Sequence, residues 1–215
     1  MSEGGKYIYN QHLSVDALPT IGQAKHREMW GKAGVSFDLL RPLEKHGYSP
    51  PLGGDFLDIG TGLGATPKEL ARKLREKYRG SKFIGVDVLA IPIDPDFPES
   101  GESVKLIGNT DGFLYLATLP DESLSLVTII NLSEALGTDG SANTLSTPNN
   151  IGFLGQELLR TLKENGIVFI SGGLSEAEVS LFSSFPNEGK KIVVLPVGAS
   201  NHGRLKNRFF QKKVA

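Results

Sequence analysis

The chain has 215 residues, 39% hydrophobic and 22% charged, enough for one ordinary domain with a sizeable core. Lys plus Arg number 23 against 24 Asp plus Glu, a net charge of -1, so the basic excess of a general polyanion binder is missing. The sequence holds no cysteine, which excludes disulfides, cysteine-ligated zinc, iron–sulfur clusters and a thiol nucleophile.

The opening "MSEGGKYIYNQHLSV" has no basic region followed by an apolar run. No stretch reaches the ~18 apolar residues of a membrane span, so the expected location is cytoplasmic. Residues 1–50 read as a helical leader or lid, and 51–215 as the main unit. In the leader, "TIGQAKHREMW" opens a helix at Thr20, with Gln23 completing a weak capping box. "SFDLLRPLEKHG" spaces Phe37, Leu40 and Leu43 as a helix that Pro42 kinks or ends, and "GYSPPLGG" breaks the chain.

Strands and helices then alternate. "DFLDIG" reads as a buried parallel strand. The next helix is expected to have Thr66 as N-cap, Pro67 at N1, Glu69 closing a capping box and Gly80 as its terminator. "KFIGVDVL" is the second strand, "IPIDPDFPES" a loop and "SVKLIG" a short third strand. "LSLVTIINL", residues 124–132, is the longest apolar run and the expected centre of the sheet. "TPNNIGFLGQELLRTLKENG" reads as a helix with Leu154, Leu158 and Leu162 on one face, ended by Asn165-Gly166. "IVFISG" is a strand, Ser175 with Glu178 opens a capped helix, and "KKIVVLPV" and "NRFFQKKV" close the chain as strands. The pattern specifies an α/β fold: a mostly parallel seven-stranded sheet, helices on both faces and an antiparallel pair at the C-terminus. The last two strands lack the crossover helix that parallel neighbours need.

The turn after the first strand holds Gly60, Gly62 and Gly64 within five residues. Glycine permits positive φ and close approach of a ligand to the backbone, and the helix that follows offers N–H groups. A plain tight turn is the bland alternative. Asp87 ends the second strand, where a carboxylate can accept both hydroxyls of a ribose. Gly60-Thr61-Gly62-Leu63-Gly64 is G-x-G-x-G, yet Gly60, Gly62 and Ala65 also satisfy the looser pattern of NAD-binding turns. Asp58, just before the turn, favours a ligand with an ammonium group, which NAD lacks.

These features, in this order, resemble the class I S-adenosylmethionine-dependent methyltransferases, with a Rossmann-like fold, over residues 55–214. "LDIGTGLG" is similar to the family's first motif and "FIGVDV" to its second. "LPDESLSLVTIINLSEAL", "QELLRTLKENGIVFISG" and "VVLPV…RFFQKKV" are similar to the later segments. The resemblance implies S-adenosyl-L-methionine as cofactor. Gly60, Thr61, Gly62 and Gly64 would contact its methionine portion and ribose, and Asp58 would lie near its ammonium. Asp87 would hold the ribose and Val88 would pack near the adenine. Asn109 or Asp111 would meet the adenine amino group, and Asn131 and Leu132 would line the methyl-donor face. The sequence departs from the family in the Pro-rich loop after Asp87, the long segment after the third strand, and Ser125 where an aspartate is common.

Methyl transfer from a sulfonium needs alignment first, and a base only when the acceptor must lose a proton early. Glu134 and His26 are the candidate bases, each set against a solvated surface role; His202 is a weaker candidate. Tyr7, Tyr9 and Trp30 offer an aromatic wall or simple packing, and residues 137–150 form an acceptor loop or a plain connection. No metal is expected. The missing cysteine excludes covalent C5 methylation of pyrimidines, and near-neutral charge places a small molecule or protein acceptor ahead of RNA. Two alternatives remain: a non-catalytic protein that keeps the fold, and an NAD-dependent oxidoreductase.

Overall fold

The computed structural model describes residues 40–62, 64–87, 103–130, 148–171, 180, 183–184, 189–197 and 208–214. In chain order the elements are α1 (Leu40–Lys45), β1 (Asp55–Ile59), α2 (Ala65–Leu74), β2 (Phe83–Val86), β3 (Val104–Ile107), α3 (Gly112–Thr118), β4 (Leu124–Ile130), α4 (Pro148–Thr161), β5 (Leu162–Ser171), β6 (Lys190–Val194) and β7 (Arg208–Val214). The strands form one seven-stranded sheet in the order β3-β2-β1-β4-β5-β7-β6. Pairing is parallel from β3 through β5, and β7 runs antiparallel to both β5 and β6. The fold class expected from the alternation is therefore present, including the antiparallel C-terminal pair.

Successive strand residues face opposite sides, so each strand feeds two cores. On one face Leu57, Ile59, Val86 and Ile129 pack against Phe113 and Leu116 of α3 and Leu154 and Leu158 of α4. On the other, Phe56, Phe83 and Phe169 pack against Leu70, Ala71 and Leu74 of α2. Leu40 and Leu43 of α1 join this second cluster. Phe56 stacks on Phe83 at 4.7 Å and meets Tyr78 edge-on at 5.0 Å, and the Tyr78 hydroxyl donates to Pro50 O at 2.9 Å. Each such ring or leucine, fully buried, stabilises the fold by about 1.5–3 kcal/mol.

Three local expectations are corrected. Helix α2 begins at Ala65, with Gly64 as its N-cap and no side-chain cap. Thr66 lies inside the helix, buried, and acts on Asp58 instead of the helix end. Glu69 closes no capping box; it pairs with Arg72 at 2.8 Å and Lys73 at 3.4 Å. Past Leu74 the chain continues in turns, with Tyr78 N donating to Leu74 O at 2.8 Å, until Gly80 (φ 84) reverses it. Helix α4 stops at Thr161, before the expected end. Leu162 pairs with Leu124 as the first residue of β5, and the Asn165–Gly166 turn sits inside the strand. Leucine at a helical spacing fits a buried strand equally well, so tertiary pairing decides. Helix α3 occupies the segment that had no expected structure.

At the end of the sheet away from the glycine turn, Lys212 on β7 is wholly buried. Its Nζ donates to Leu162 O at 2.5 Å and to Glu122 Oε1 at 3.2 Å. That polar cluster is occupied within the chain. The other end carries the features that remain to be explained.

Candidate functional site

The topology places β1 at the point where strand order reverses, between β2 and β4. In an open α/β sheet this is where ligands bind, beyond the C-terminal ends of the strands. Gly60, Gly62 and Gly64 leave β1 at that point with φ of 76, 58 and 78, all left-handed. A side chain strains such backbone, so the conformation favours glycine at each.

The turn is laced to its neighbours. Gly60 N and Thr61 N both donate to Val86 O, at 2.9 and 3.1 Å. Gly64 N donates to Thr61 O at 3.0 Å, and Lys68 N donates to Gly64 O at 3.3 Å as α2 begins. Gly64 has a second reason to be glycine. A Cβ there would lie 2.7 Å from both methyl carbons of Leu106 on β3. Gly85 on β2 is similar: its Cβ would meet Thr61 Oγ1 at 2.7 Å and Leu106 Cδ2 at 2.9 Å. These two glycines let the turn settle onto β2 and β3.

Asp87 directly follows β2 and is pinned from three sides. Its N donates to Ile107 O at 3.0 Å, its O accepts from Thr110 N at 3.0 Å, and its Oδ2 accepts from Gly62 N at 2.8 Å. The carboxylate thus turns into the glycine turn.

Asp58 lies beneath the turn, buried at 2% exposure. Its Oδ1 is 2.5 Å from Thr128 Oγ1, across the β1–β4 pairing that sets the two residues side by side. Burial raises its pKa to about 6 against an ordinary 3.8. Thr128, Thr61 and Thr66 pull the other way, and the nearby charge of Asp87 adds to the rise. Among the described residues no cation acts on Asp58. The Thr61 hydroxyl is buried without a hydrogen-bond partner among them, so its pull on Asp58 is that of a nearby dipole. Two carboxylates, an unsatisfied hydroxyl and a positive-φ turn thus converge on one edge. Such a set fits a ligand that brings a cationic amino group and donor hydroxyls, as S-adenosylmethionine does.

After β3, Asn109 is exposed with φ 54 and turns the chain toward α3. Asp111 is the N-cap of α3: its Oδ1 accepts from Phe113 N at 2.8 Å and Leu114 N at 3.0 Å. Both residues stand at the same sheet edge as Asp87. Thr128 and Thr66 were missed by sequence reasoning. The available signal was a lone threonine in the aliphatic run of β4, because a buried hydroxyl there must find a partner.

Val88, Asn131, Leu132 and both candidate bases, His26 and Glu134, lie outside the described residues, as do Leu63, Tyr7, Tyr9, Trp30, His202 and the Ser175–Glu178 helix start. So does the loop at 137–147. Among the described residues no group of three or more His, Asp or Glu side chains is placed to hold a metal ion. No helix among them is long and apolar enough to cross a membrane.

No protein-family model matches the sequence, and no curated protein matches it. Solved structures do. A TehB-like S-adenosylmethionine-dependent methyltransferase from Corynebacterium glutamicum superposes with a TM-score of 0.53 at 13% identity, covering 92% of this chain and 100% of its own. SMU.1697c from Streptococcus mutans, in complex with S-adenosylhomocysteine, has a TM-score of 0.52 at 13% identity, covering 80% of this chain and 94% of its own. Likeness at this identity shows the fold, which is the class I methyltransferase fold.

Proposed function

We propose that the chain is an S-adenosylmethionine-dependent methyltransferase, with the donor lying across the turn Gly60–Gly64. The observation that carries this reading is Asp58, a buried carboxylate with no described cation acting on it, set under a left-handed glycine turn and beside Asp87. NAD brings no ammonium to such a carboxylate. The fold shared with methyltransferases supports the same reading.

The reading assigns the following roles. Asp58 pairs with the donor's ammonium, and the backbone of Gly60, Thr61, Gly62 and Gly64 borders its methionine portion. Asp87 accepts the ribose hydroxyls; a carboxylate offers about four acceptor positions, enough for these and for Gly62 N together. Asn109 or Asp111 meets the adenine amino group, with Val88 packing nearby. Asn131 and Leu132, directly after β4, line the face from which the methyl leaves. The bound sulfonium supplies an activated methyl and a neutral thioether leaving group. The chain holds the acceptor atom and that methyl in line, which is the main catalytic task. A base, with Glu134 and His26 as candidates, is needed only for an acceptor that must shed a proton. Near-neutral charge supports a small molecule or protein acceptor over RNA.

Thermal unfolding with S-adenosylhomocysteine, S-adenosylmethionine or NAD tests the assignment. A ligand at 100 times its Kd stabilises the fold by about 2.7 kcal/mol. The expected result is a shift with both sulfur nucleosides, none with NAD, and loss of the shift in Asp87→Ala. A shift with NAD alone replaces the reading with an oxidoreductase. Donor binding without transfer across a broad acceptor screen leaves a non-catalytic binding protein.

A further inference from the structure

The contact between Thr128 and Asp58 joins β4 to the carboxylate that lies under the glycine turn. The rest of β4 is aliphatic apart from Ser125: its sequence is Leu124, Ser125, Leu126, Val127, Thr128, Ile129, Ile130. Thr128 is 1% exposed, so its hydroxyl has no water to turn to. Two acceptors lie near it, Asp58 Oδ1 at 2.5 Å and Leu57 O at 3.5 Å. A hydroxyl has one proton, and the shorter contact is the length of a hydrogen bond to a carboxylate. Thr128 therefore spends its proton on Asp58 whenever Asp58 is ionised. The parallel register fixes both residues on the face that carries α2. With one oxygen tied to the central strand, the Asp58 carboxylate cannot rotate freely, and its charge keeps a donor in a dry setting.

We propose that Thr128 is a positioning residue for the amino-acid end of the donor: through Asp58 it sets how tightly the chain grips the ligand's ammonium, and it leaves the grip on the nucleoside unchanged. The proposal rests on the donor assignment above and extends it to a residue on another strand. It also divides the site. Asp58 and Thr128, on β1 and β4, hold one end of the ligand. Asp87, after β2, holds the other.

The test compares two ligands that share the nucleoside and differ at the amino-acid end. S-adenosylhomocysteine carries the aminocarboxyl end; 5′-methylthioadenosine keeps the nucleoside and thioether and lacks it. Their affinities are measured by calorimetry on the full chain for wild type, Thr128→Val and Thr128→Ser. Loss of a hydrogen bond to a charged group costs about tenfold or more in affinity. Thr128→Val is expected to weaken S-adenosylhomocysteine by that factor and methylthioadenosine by less than about twofold. Thr128→Ser, which keeps the hydroxyl, is expected to bind both as wild type does. Equal losses for both ligands would make Thr128 merely structural and overturn the proposal, as would an unchanged S-adenosylhomocysteine affinity in Thr128→Val. If Thr128→Val does not fold, Thr128→Ala against Thr128→Ser carries the same comparison. Wild type that binds neither ligand fails the donor assignment itself, and the proposal falls with it.

Discussion

Asp58 should run against the usual effect of acid on this fold, and Asp58→Asn should abolish its contribution. Asp58 titrates at about 6 in the folded chain, chiefly through burial, against 3.8 for an ordinary aspartate. The folded chain therefore keeps a proton that the unfolded chain has already released. The stability this group contributes is fully present below about pH 4 and is lost as pH rises through about 6. A difference of about two pKa units is worth about 3 kcal/mol in all, of which about 2 kcal/mol falls between pH 4 and pH 7.5. The assay is urea unfolding of wild type and Asp58→Asn across that range. Most other titrating groups cancel in the difference between the two proteins. Asp87 cancels less completely, because its charge acts on Asp58. Wild type should lose about 2 kcal/mol relative to Asp58→Asn as pH rises. A flat difference, or a gain for wild type, would mean that Asp58 is held ionised throughout, and the reasoning fails. The donor should act in the opposite sense. An ammonium beside Asp58 favours the ionised form, so S-adenosylhomocysteine should bind more tightly as pH rises to about 6, with release of a proton below that pH. Calorimetry in buffers of different ionisation heat reads that proton directly.

Two further predictions concern the frame around the site. Gly64→Ala would push a Cβ to 2.7 Å from Leu106 at a left-handed φ of 78. Strain and overpacking together should cost about 2–4 kcal/mol in urea unfolding, and a loss under about 1 kcal/mol would show that Leu106 moves aside. Asp111→Ala removes both cap bonds of α3 and should cost about 1 kcal/mol of stability. If Asp111 only caps, its S-adenosylhomocysteine affinity stays within about twofold of wild type, whereas a loss of about tenfold assigns it to the adenine as well.

Much of the fold was legible because it rests on local rules. Alternating strands and helices imply a parallel sheet, and a pair of closing strands without a helix between them must run antiparallel. What went unread was decided by partners distant in sequence. Thr66-Pro67-x-Glu69 is a sound capping signal, but Gly64 already starts the helix and Thr66 faces Asp58. Leu162 continues a helical stripe and also fits opposite Leu124, and pairing prevails. Helix α3 was hidden by its seven residues and its Gly112 start; Asp111 before an apolar run was the clue. Gly112 is needed there because a Cβ would meet Ile59 at 2.5 Å, another contact that no local rule foretells.

The candidate site divides along the same line. Glycines and Asp87 could be read because a strand, a turn and the next strand set their spacing. Asp58 and Thr128 are 70 residues apart, and only the sheet order joins them. Strand order also explains why so much buried polarity gathers at one place. Asp58, Thr61, Thr66, Asp87 and Thr128 are all buried at or near the edge where β1 lies between β2 and β4. An aliphatic core would pack more simply there, since an ionised carboxylate is costly to bury without a partner. A cation reaching Asp58 would offset that cost, which is the part the proposed donor's ammonium would play. On the donor assignment proposed above, the buried carboxylate of Asp58, whose charge weakens the fold at neutral pH, is the group that would select for an ammonium.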